Sequence, residues 1–365
     1  MTTRQGPDRP PLTVADLSEG ELLARFTPLL PRGRRTLVPN GDDAAVVAAP
    51  DGRFVVSTDV LVENHHFRRG WGTARDLGAR AAAQNLADIA AMGAVPSSMV
   101  VALVLPATTT VEWVLDLARG LADACGPIGV GVDGGDLSAG EQVVVAVTVH
   151  GDLEGRDPVL RSGARPGDVL AHAGVLGHGA AGYAVLAARD REDGSPVPAA
   201  RAGGGSDDRP AGGGDLRDDI TSVVVGAFLR PDPPLSAGPV AADGGATAMM
   251  DVSDGLLRDA DRMARASGVV LVLDPLAQSA AEDLTMLTPL ARSLGADPVV
   301  WALTGGEDHG MLASFPADAP LPPGFRRIGE VREPDEAGPR VSTNDADLPD
   351  EATGTAGGWD HFRRV

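Results

Sequence analysis

The chain has 365 residues, 43% of them hydrophobic, which is long enough for two domains of ordinary size with a core each. Its 51 acidic and 31 basic residues give a formal net charge of -20, a balance that disfavours nucleic acids and anionic membranes as partners. None of the 31 basic residues is a lysine, so any phosphate-binding loop or covalent mechanism that requires a lysine is excluded.

Cysteine content and hydrophobicity set further limits. The single cysteine, Cys125, excludes an intramolecular disulfide and a cysteine-rich zinc site, and its spacing with Val114, Ala118 and Leu121 predicts a core position on a helix. No segment approaches the ~18 uninterrupted apolar residues of a membrane span, and the N-terminus has no apolar stretch typical of a signal peptide. We therefore predict a cytoplasmic protein with no membrane partner.

Residues 1–152 are predicted to form a mixed α/β domain that follows a polar, proline-rich arm of about 20 residues. Apolar periodicity and turn residues indicate three helices and five strands in this domain. The helices are expected at Glu19–Phe26, at 74–92, and from a capping box at Thr109–Glu112 to about Cys125. The strands are expected at Val46–Ala49, Phe54–Val62, Met99–Leu105, Ile128–Val132 and Val143–His150.

Residues 153–365 are predicted to form a second domain, and the whole chain is assigned to the mixed α/β (α+β) class. Two helices are expected, at Gly179–Arg189 and at Asp254–Ser267, the second ended by Gly268. The strands are expected at Val169–Ala173, Ala246–Val252, Val269–Leu273, Val299–Leu303, Met311–Phe315 and Arg326–Val331. Residues 190–218 are charged and rich in glycine and proline, which predicts a flexible surface insertion, and residues 332–356 are predicted to be irregular.

Short aspartate motifs with small or apolar neighbours recur along the chain, and we expect them in loops at strand ends. They are Gly41-Asp42-Asp43, Ser57-Thr58-Asp59, Asn85-Leu86-Ala87-Asp88, Gly134-Gly135-Asp136 and Asp251-Val252-Ser253-Asp254-Gly255, followed later by Thr304-Gly305-Gly306-Glu307-Asp308. Carboxylate and hydroxyl oxygens are the ligands of hard cations such as Mg²⁺, and clustered carboxylates repel unless a metal ion holds them. The pattern predicts a scaffold for several divalent ions, and several ions suggest a polyphosphate ligand.

Each motif alone also has a structural explanation. Asp42-Asp43 fits an Asx-turn at the start of a strand, and Gly134-Gly135-Asp136 fits a hairpin turn. Asp88 fits a solvent-facing position on an amphipathic helix, and the motif at 251–255 fits a Ser or Asp helix cap without a ligand. Arg161 stands in a turn, where its guanidinium could bind phosphate bidentately or form a surface ion pair. Their repetition favours the cation site.

These motifs in this order resemble the thiamine-monophosphate kinase family over roughly residues 20–362, interrupted by the insertion. The most specific strings are Asn85–Ala94 and Asp251–Leu256. The resemblance implies a two-domain aminoimidazole ribonucleotide synthetase-like fold. In it, residues 1–152 would bind ATP and Mg²⁺ and pair in a homodimer, and residues 153–365 would complete the active site.

The resemblance also implies roles for individual residues. The magnesium ligands of the family fall on Asp43, Ser57, Thr58, Asp59, Asp88, Asp136, Asp251 and Asp254, and the nucleotide contacts fall on Gly135, Asp136, Arg161 and Ser253. Contacts to thiamine monophosphate fall on His66, Glu307 and Trp359. One departure is local: His309-Gly310-Met311 follows Asp308 where the family usually has Tyr-Glu-Leu.

The implied activity is ATP-dependent phosphorylation of thiamine monophosphate to thiamine diphosphate by direct in-line transfer, assisted by several Mg²⁺ ions and without a covalent nucleophile. Three alternatives stay open. One is another ATP-using enzyme of the same superfamily, although selenophosphate synthetase would need a reactive Cys and a Lys in an N-terminal arm. The others are a kinase-like scaffold without activity and a non-catalytic protein that binds divalent cations.

Overall fold

Three sheets and their surrounding helices are found in residues 11–40, 44–192 and 214–344, which are the residues that the computed structural model describes. The predicted site residues Asp43 and Trp359 lie outside these ranges, as does most of the predicted insertion at 190–218. At the edges of that insertion, residues 190–192 and 214–218 are helical, so helix replaces part of the predicted flexible insertion.

The first part of the chain has three α-helices and six strands among its described residues. The helices are α1 (Glu19–Phe26), α2 (Ala74–Ala91) and α3 (Val111–Cys125). The strands are β1 (Thr36–Val38), β2 (Val46–Val47), β3 (Val55–Val62), β4 (Val95–Leu105), β5 (Gly131–Ala139) and β6 (Val144–Asp152). β1 and β2 pair with each other, and the others form a sheet in the order β3-β6-β4-β5. The expected helices are therefore confirmed, with small shifts of their ends.

The start of α3 corrects the predicted capping box at Thr109. The N-cap is Thr110, whose hydroxyl accepts a hydrogen bond of 3.2 Å from the Trp113 amide. Thr109 is used by tertiary structure instead, because its carbonyl accepts from the Val14 amide at 2.7 Å and its hydroxyl accepts from Arg69 at 3.1 Å. The local sequence around Thr109 gives no indication of these long-range hydrogen bonds, so the capping residue was misassigned.

A β-bulge in β5 corrects the predicted strand at Ile128–Val132. β4 and β5 run parallel, and the register shifts so that Asp133 is the extra residue between the two flanking pairs. Asp133 is buried and accepts hydrogen bonds from the hydroxyls of Thr36, at 2.7 Å, and Ser98, at 2.6 Å. Because the bulge is stabilised by these distant residues, the strand continues to Ala139 and contains the Gly134-Gly135-Asp136 motif.

The second part of the chain contains a six-stranded sheet in the order β12-β9-β11-β7-β10-β8. Its strands are β7 (Val169–Ala173), β8 (Ala248–Val252), β9 (Val270–Leu273), β10 (Gly310–Phe315), β11 (Phe325–Arg332) and β12 (Arg340–Thr343). The helices are α4 (His178–Glu192), α5 (Gly214–Leu229), α6 (Ala237–Asp243), α7 (Leu256–Ser267), α8 (Leu276–Ser279), α9 (Ala281–Leu294) and α10 (Pro298–Thr304). All strand pairs are antiparallel except β12 with β9.

Two predictions in this part are wrong. The strand expected at Val299–Leu303 is helix α10, because Asp297 caps it by accepting from the Val299 amide at 2.8 Å and Pro298 suits the first helical position. A short apolar run does not by itself distinguish a strand from a buried helix. Part of the segment expected to be irregular, 332–356, contains strand β12, which adds to the edge of the sheet beside β9.

Both faces of the six-stranded sheet are covered, which explains why its central strands are almost continuously apolar. In β8, Met250 belongs to a core cluster with α7, whereas Met249 belongs to a cluster with Phe315 and Phe325. Successive side chains therefore enter two different cores, as the alternation of a strand requires. The two phenylalanine rings meet edge to face at 5.3 Å.

The chain divides into two compact units. One comprises residues 1–48, 58–82 and 97–149, and the other comprises residues 49–57, 83–96 and 150–365. The division into residues 1–152 and 153–365 stays a prediction. No helix in the described ranges is long and apolar enough to cross a membrane.

Candidate active site

Ser57 and Asp88, which come from separate motifs, lie next to each other within the second unit. The Ser57 hydroxyl in β3 donates a hydrogen bond of 2.7 Å to Asp88 Oδ2 in α2. Asp88 is half-buried between the fully buried Ala87 and Ile89, which disfavours the alternative of a solvent-facing aspartate. The pair offers only oxygen ligands, which suits a hard cation such as Mg²⁺.

Thr58 and Asp59 belong to the first unit and point to opposite faces of β3, because side chains alternate along a strand. The Thr58 hydroxyl donates to the Val147 carbonyl at 2.8 Å and accepts from the Thr148 hydroxyl at 3.1 Å, so β6 occupies it. Asp59 is half-buried. The three successive oxygen-bearing side chains at 57–59 therefore do not converge on one point.

Gly135 and Asp136 lie within edge strand β5 and are exposed. A Cβ on Gly135 would overlap the carbonyl of Val101 in β4, so contact between strands requires this glycine. Asp136 Oδ2 accepts a hydrogen bond of 2.8 Å from the Ser138 hydroxyl, which gives a second oxygen-only pair. The structure thus gives the glycine a packing role, beside the predicted contact with a nucleotide.

The predicted position of these motifs at strand ends is wrong for several of them. Gly134-Gly135-Asp136 lies inside β5. Ser57-Thr58-Asp59 lies inside β3 and Asp88 lies in α2, as the predicted strand at Phe54–Val62 and the predicted helix at 74–92 already implied. Among the described motifs, only the segments at 251–255 and 304–309 join one element to the next. Hydroxyl and glycine residues interrupt apolar strands here without ending them, because neighbouring strands supply their backbone partners.

The loop at 251–255 joins β8 to α7 and is closed by a charged cluster. The N-cap of α7 is Gly255, at φ 116, so the helix begins two residues later than predicted and has no Ser or Asp cap. The Asp254 amide donates to Asp259 Oδ2 at 2.9 Å, and Arg262 donates to Asp259 Oδ1 and Asp254 Oδ2, both at 2.7 Å. Burial raises the pKa of Asp259 to about 6, although the Asp254 amide opposes this shift.

Asp259 and Arg262 were missed in the sequence. Their spacing of three residues in the predicted helix could have indicated the pair, because residues three apart lie on the same face of a helix. Such pairs are common on helix surfaces. The difference here is that Asp259 is completely buried and reaches back to the amide of a predicted metal ligand.

The segment 305–309 docks on the loop at 251–255 through its backbone. The Glu307 amide donates to the Ser253 carbonyl at 2.9 Å, and the His309 amide donates to the Val252 carbonyl at 3.0 Å. The His309 ring then approaches two carboxylates: its Nδ1 lies 3.4 Å from Asp251 Oδ2 and its Nε2 lies 3.8 Å from Glu307 Oε2. Three predicted site residues, Asp251, Ser253 and Glu307, are therefore neighbours.

The ionisation of His309 follows from this arrangement. Burial alone would lower its pKa, but the contacts with Asp251 and Glu307 outweigh burial and raise the pKa to about 10. The imidazole thus lies between two carboxylates. Asp308, between these residues in sequence, accepts from the amides of Gly177 at 2.6 Å and Gly179 at 2.7 Å, and burial raises its pKa to about 6.

The remaining described site residues lie in different surroundings. Arg161 has an exposed side chain, and its carbonyl accepts from the Ser267 hydroxyl at 3.0 Å. His66, in the first unit, accepts from the Val62 amide through Nδ1 at 2.9 Å. In a neutral His66 imidazole the proton is therefore on Nε2.

The donor chemistry fits Mg²⁺, because the predicted ligands offer carboxylate and hydroxyl oxygens and no sulfur. Two of the predicted ligands, Ser57 and Asp88, are in contact with each other, and Asp136 accepts a hydrogen bond from Ser138, which is not a predicted ligand. Within residues 11–40, 44–192 and 214–344, no group of three or more His, Cys, Asp or Glu side chains is arranged to hold a metal ion.

Comparison with known proteins gives the family. A family model for the AIR synthase related protein, N-terminal domain, matches residues 41–153. The thiamine-monophosphate kinase of Mycobacterium tuberculosis is 44% identical over 354 residues, covering 96% of this chain and 93% of that protein. The thiamine-monophosphate kinase of Corynebacterium glutamicum is 40% identical over 331 residues, covering 90% and 88% of the two chains.

Solved structures agree with this match. AaThiL complexed with AMPPCP and TMP has a TM-score of 0.68 with this chain at 27% identity, covering 88% of this chain and 91% of that one. The thiamine monophosphate kinase from Aquifex aeolicus gives a TM-score of 0.66 at 27% identity, covering 84% and 91%. The predicted mixed α/β, aminoimidazole ribonucleotide synthetase-like fold is confirmed. The chain belongs to the thiamine-monophosphate kinase family.

Proposed function

We propose that this enzyme transfers the γ-phosphoryl group of ATP to thiamine monophosphate, giving thiamine diphosphate and ADP. The observation that carries the proposal is the 44% identity with a thiamine-monophosphate kinase over 96% of the chain. The TM-score of 0.68 with AaThiL, complexed with AMPPCP and TMP, supports the same pair of ligands. AMPPCP is a non-hydrolysable analogue of ATP.

The proposed transfer is direct and in line, with no phosphorylated residue. The acceptor is itself a phosphate, largely ionised near neutral pH, so the chain need not supply a strong general base. The main obstacle is repulsion between donor and acceptor, about 4 kcal/mol for each pair of unit charges at 4 Å and an effective dielectric constant of about 20. Catalysis then consists of positioning and charge neutralisation.

Bound Mg²⁺ ions would offset this repulsion. We propose that they are held by the residues that the family resemblance implies, namely Asp43, Ser57, Thr58, Asp59, Asp88, Asp136, Asp251 and Asp254. The contact of Ser57 with Asp88 and the deep burial of Asp251 support this assignment.

The two substrates are assigned to the remaining residues of the predicted site. ATP would contact Gly135, Asp136, Arg161 and Ser253, and thiamine monophosphate would contact His66, Glu307 and Trp359. The exposed Arg161 guanidinium can bind a phosphate bidentately. The proximity of Ser253 to Glu307 supports neighbouring nucleotide and acceptor sites.

We further propose a cytoplasmic homodimer that pairs through residues 1–152, with residues 153–365 completing each site. Edge strand β3 supports this pairing, because Val56 and Val60 on one of its faces are 54% and 44% exposed. An exposed apolar strand at the edge of a sheet is a surface that proteins usually cover. Sedimentation of the purified enzyme tests the proposal, since a monomer at micromolar concentration would contradict it.

The test of the activity is formation of thiamine diphosphate from ATP and thiamine monophosphate with Mg²⁺, with free thiamine as control acceptor. We expect Asp59→Asn and Asp251→Asn to lower turnover by at least about a hundredfold, because charge stabilisation is lost. Asp335→Asn is the matched control, since this exposed aspartate pairs only with Arg340 and Ala337 among described residues and lies in no motif. Near-normal turnover in both site variants at saturating Mg²⁺ would contradict the assigned roles.

A further inference from the structure

The bulge in β5 decides which face of the sheet carries the residues that follow it. Met99, Val101 and Leu103 of the neighbouring strand β4 are buried, so their face of the sheet is covered. Ala102 points the other way and is exposed, so the opposite face is open there. Asp136 stands opposite Ala102, and residues in register share a face, so the Asp136 carboxylate lies on the open face.

The extra residue reverses the alternation of side chains along β5. Asp133 contacts Ser98 of β4. Gly134, the next residue, pairs with Val100, which lies two positions after Ser98 and therefore on the same face of β4. Two consecutive residues of β5 thus lie towards one face. In a strand without the bulge, a slip of one residue would turn Asp136 to the covered face.

The glycine pair of this motif does not select the register by itself. The position opposite Val101 requires a glycine, because a Cβ there would overlap the Val101 carbonyl oxygen. Gly135 occupies this position, and after a slip Gly134 would fill it equally well. Leu137 opposes a slip through its place beside the buried Leu103, but Leu137 is only half-buried. A contact outside these residues is therefore needed to hold the bulge.

The Asp133 carboxyl group supplies such a contact. It is buried, and it accepts a hydrogen bond of 2.7 Å from the Thr36 hydroxyl on Oδ1 and one of 2.6 Å from the Ser98 hydroxyl on Oδ2. The Thr36 hydroxyl in turn accepts from the Gly33 amide at 3.1 Å, which extends the contact to the loop before β1. Asp133 cannot leave this position without leaving buried polar groups unpaired, which proteins avoid.

We propose that Asp133 is a positioning residue that fixes the register of β5 and so presents Asp136 to the nucleotide and its Mg²⁺. The inference rests on the proposed function, because Asp136 is assigned there to ATP and Mg²⁺. Asp133 itself would touch neither ligand, since both of its carboxyl oxygens are used by Thr36 and Ser98 in the interior.

Two changes at Asp133 remove the same hydrogen bonds but differ in their effect on the register. Asp133→Val places a strand-forming residue at the bulge and allows β5 to slip, which would turn Asp136 to the covered face. Deletion of Asp133 removes the extra residue itself. Val132 and Gly134 then become consecutive, and Asp136 keeps its place opposite Ala102.

Two conservative variants complete the set. Asp133→Asn keeps one acceptor and gains a donor, and both can bind a hydroxyl group, so it should preserve the contacts with Thr36 and Ser98. Thr109→Val is the matched control for loss of a buried hydroxyl. Thr109 is buried in the same unit and its hydroxyl accepts from Arg69 at 3.1 Å, but it lies outside β5.

Calorimetry with AMPPCP and Mg²⁺ measures the consequence for binding. We expect Asp133→Val to weaken binding by about tenfold or more, the size associated with a lost contact to a charged group. The deletion of Asp133 and Asp133→Asn should both stay within about threefold of the wild type. Thr109→Val should leave the affinity unchanged. The melting temperature should fall in both Asp133→Val and the deletion, so stability alone does not separate these two variants.

An introduced thiol reports the register without any ligand, because the native Cys125 is buried. Ser138 is exposed and shares the face of Asp136, whereas Leu137 points to the covered face. Ser138→Cys should therefore be alkylated faster than Leu137→Cys, both in the otherwise wild-type chain and after deletion of Asp133. Combined with Asp133→Val, the order of the two rates should be reversed.

Two results would overturn the inference. One is an unchanged affinity for AMPPCP, or an unchanged order of alkylation, in Asp133→Val. The other is an equal loss of affinity in Asp133→Val and in the deletion, which would show that the register is irrelevant. A wild type that binds no AMPPCP in the presence of Mg²⁺ contradicts the proposed function instead.

Discussion

The substitution Asp308→Asn probes how the segment 305–309 is anchored. The Asp308 carboxylate accepts one backbone hydrogen bond on each oxygen, from Gly177 at 2.6 Å and from Gly179 at 2.7 Å. An asparagine has one acceptor oxygen, so its NH₂ group would face the second amide. Near pH 7.5, where the carboxylate is ionised, loss of one charge-assisted hydrogen bond and the burial of an unpaired donor predict a free energy of unfolding lower by about 2–4 kcal/mol.

The cost of ionising the buried Asp308 carboxylate opposes the stabilisation from its hydrogen bonds and makes the effect of the substitution depend on pH. Burial raises the pKa of Asp308 from 3.8 to about 6, which corresponds to about 3 kcal/mol of cost for keeping the carboxylate ionised at high pH. Because the folded pKa lies above the unfolded one, wild-type stability falls as pH rises from about 4 to above 6. The asparagine has no such titration, so its deficit against the wild type should shrink over this window.

Urea unfolding at about pH 5 and at about pH 7.5 measures the difference in unfolding free energy between the wild type and Asp308→Asn. Roughly half of the 3 kcal/mol change is expected between these two pH values. Asp259, whose pKa is also raised to about 6, is present in both proteins and cancels. Asp335→Asn is the control: its hydrogen bonds with Arg340 and the Ala337 amide lower the pKa of Asp335 to about 2, so its effect should not vary over this range. A deficit that is constant or grows with pH would refute the reasoning.

Two further predictions concern the same part of the structure and the core of the first unit. Gly255→Ala should destabilise the protein by at least about 1–3 kcal/mol, because φ is 116° and the new Cβ would lie 2.6 Å from the Thr304 carbonyl oxygen. The control is Gly226→Ala in α5, where the space around the Cβ is open, so the change should be neutral or stabilising by up to about 1 kcal/mol. Thermal unfolding that ranks the two variants in the opposite order would contradict this account. Cys125 is completely buried, and burial raises the pKa of its thiol to about 12. The native protein should therefore resist alkylation of Cys125, whereas the urea-unfolded protein should be alkylated readily. Comparable alkylation rates in the two states would contradict this prediction.

Local sequence signals predicted those elements whose stability is decided locally or by a continuous apolar run. Strand β7 was predicted with its observed bounds, because Val169–Ala173 is a short, mostly apolar run whose side chains enter both core clusters of the six-stranded sheet. Helix α1 was also predicted with its observed bounds, and its Ser18–Glu21 capping box fixes its start. Gly268 ends α7 in a left-handed conformation, as glycine does at many helix ends.

The errors arise where distant residues decide the local structure. The bulge at Asp133 depends on hydroxyls 97 and 35 residues away in sequence, so the extension of β5 was not visible locally. The environment of His309 depends on the pairing of β10 with β8, where Gly310 stands opposite Val252. The acidic residues could be recognised as site candidates from their motifs, but this pairing is what brings His309 to Asp251.

The central proposal is that the acidic motifs hold magnesium for the nucleotide, and calorimetry with AMPPCP tests it most directly. We expect AMPPCP to bind the wild-type enzyme only with Mg²⁺ present, and Asp59→Asn, Asp88→Asn and Asp251→Asn each to weaken binding by at least about tenfold while the melting temperature stays within a few degrees. Binding of equal affinity without Mg²⁺, or in all three variants, would contradict it.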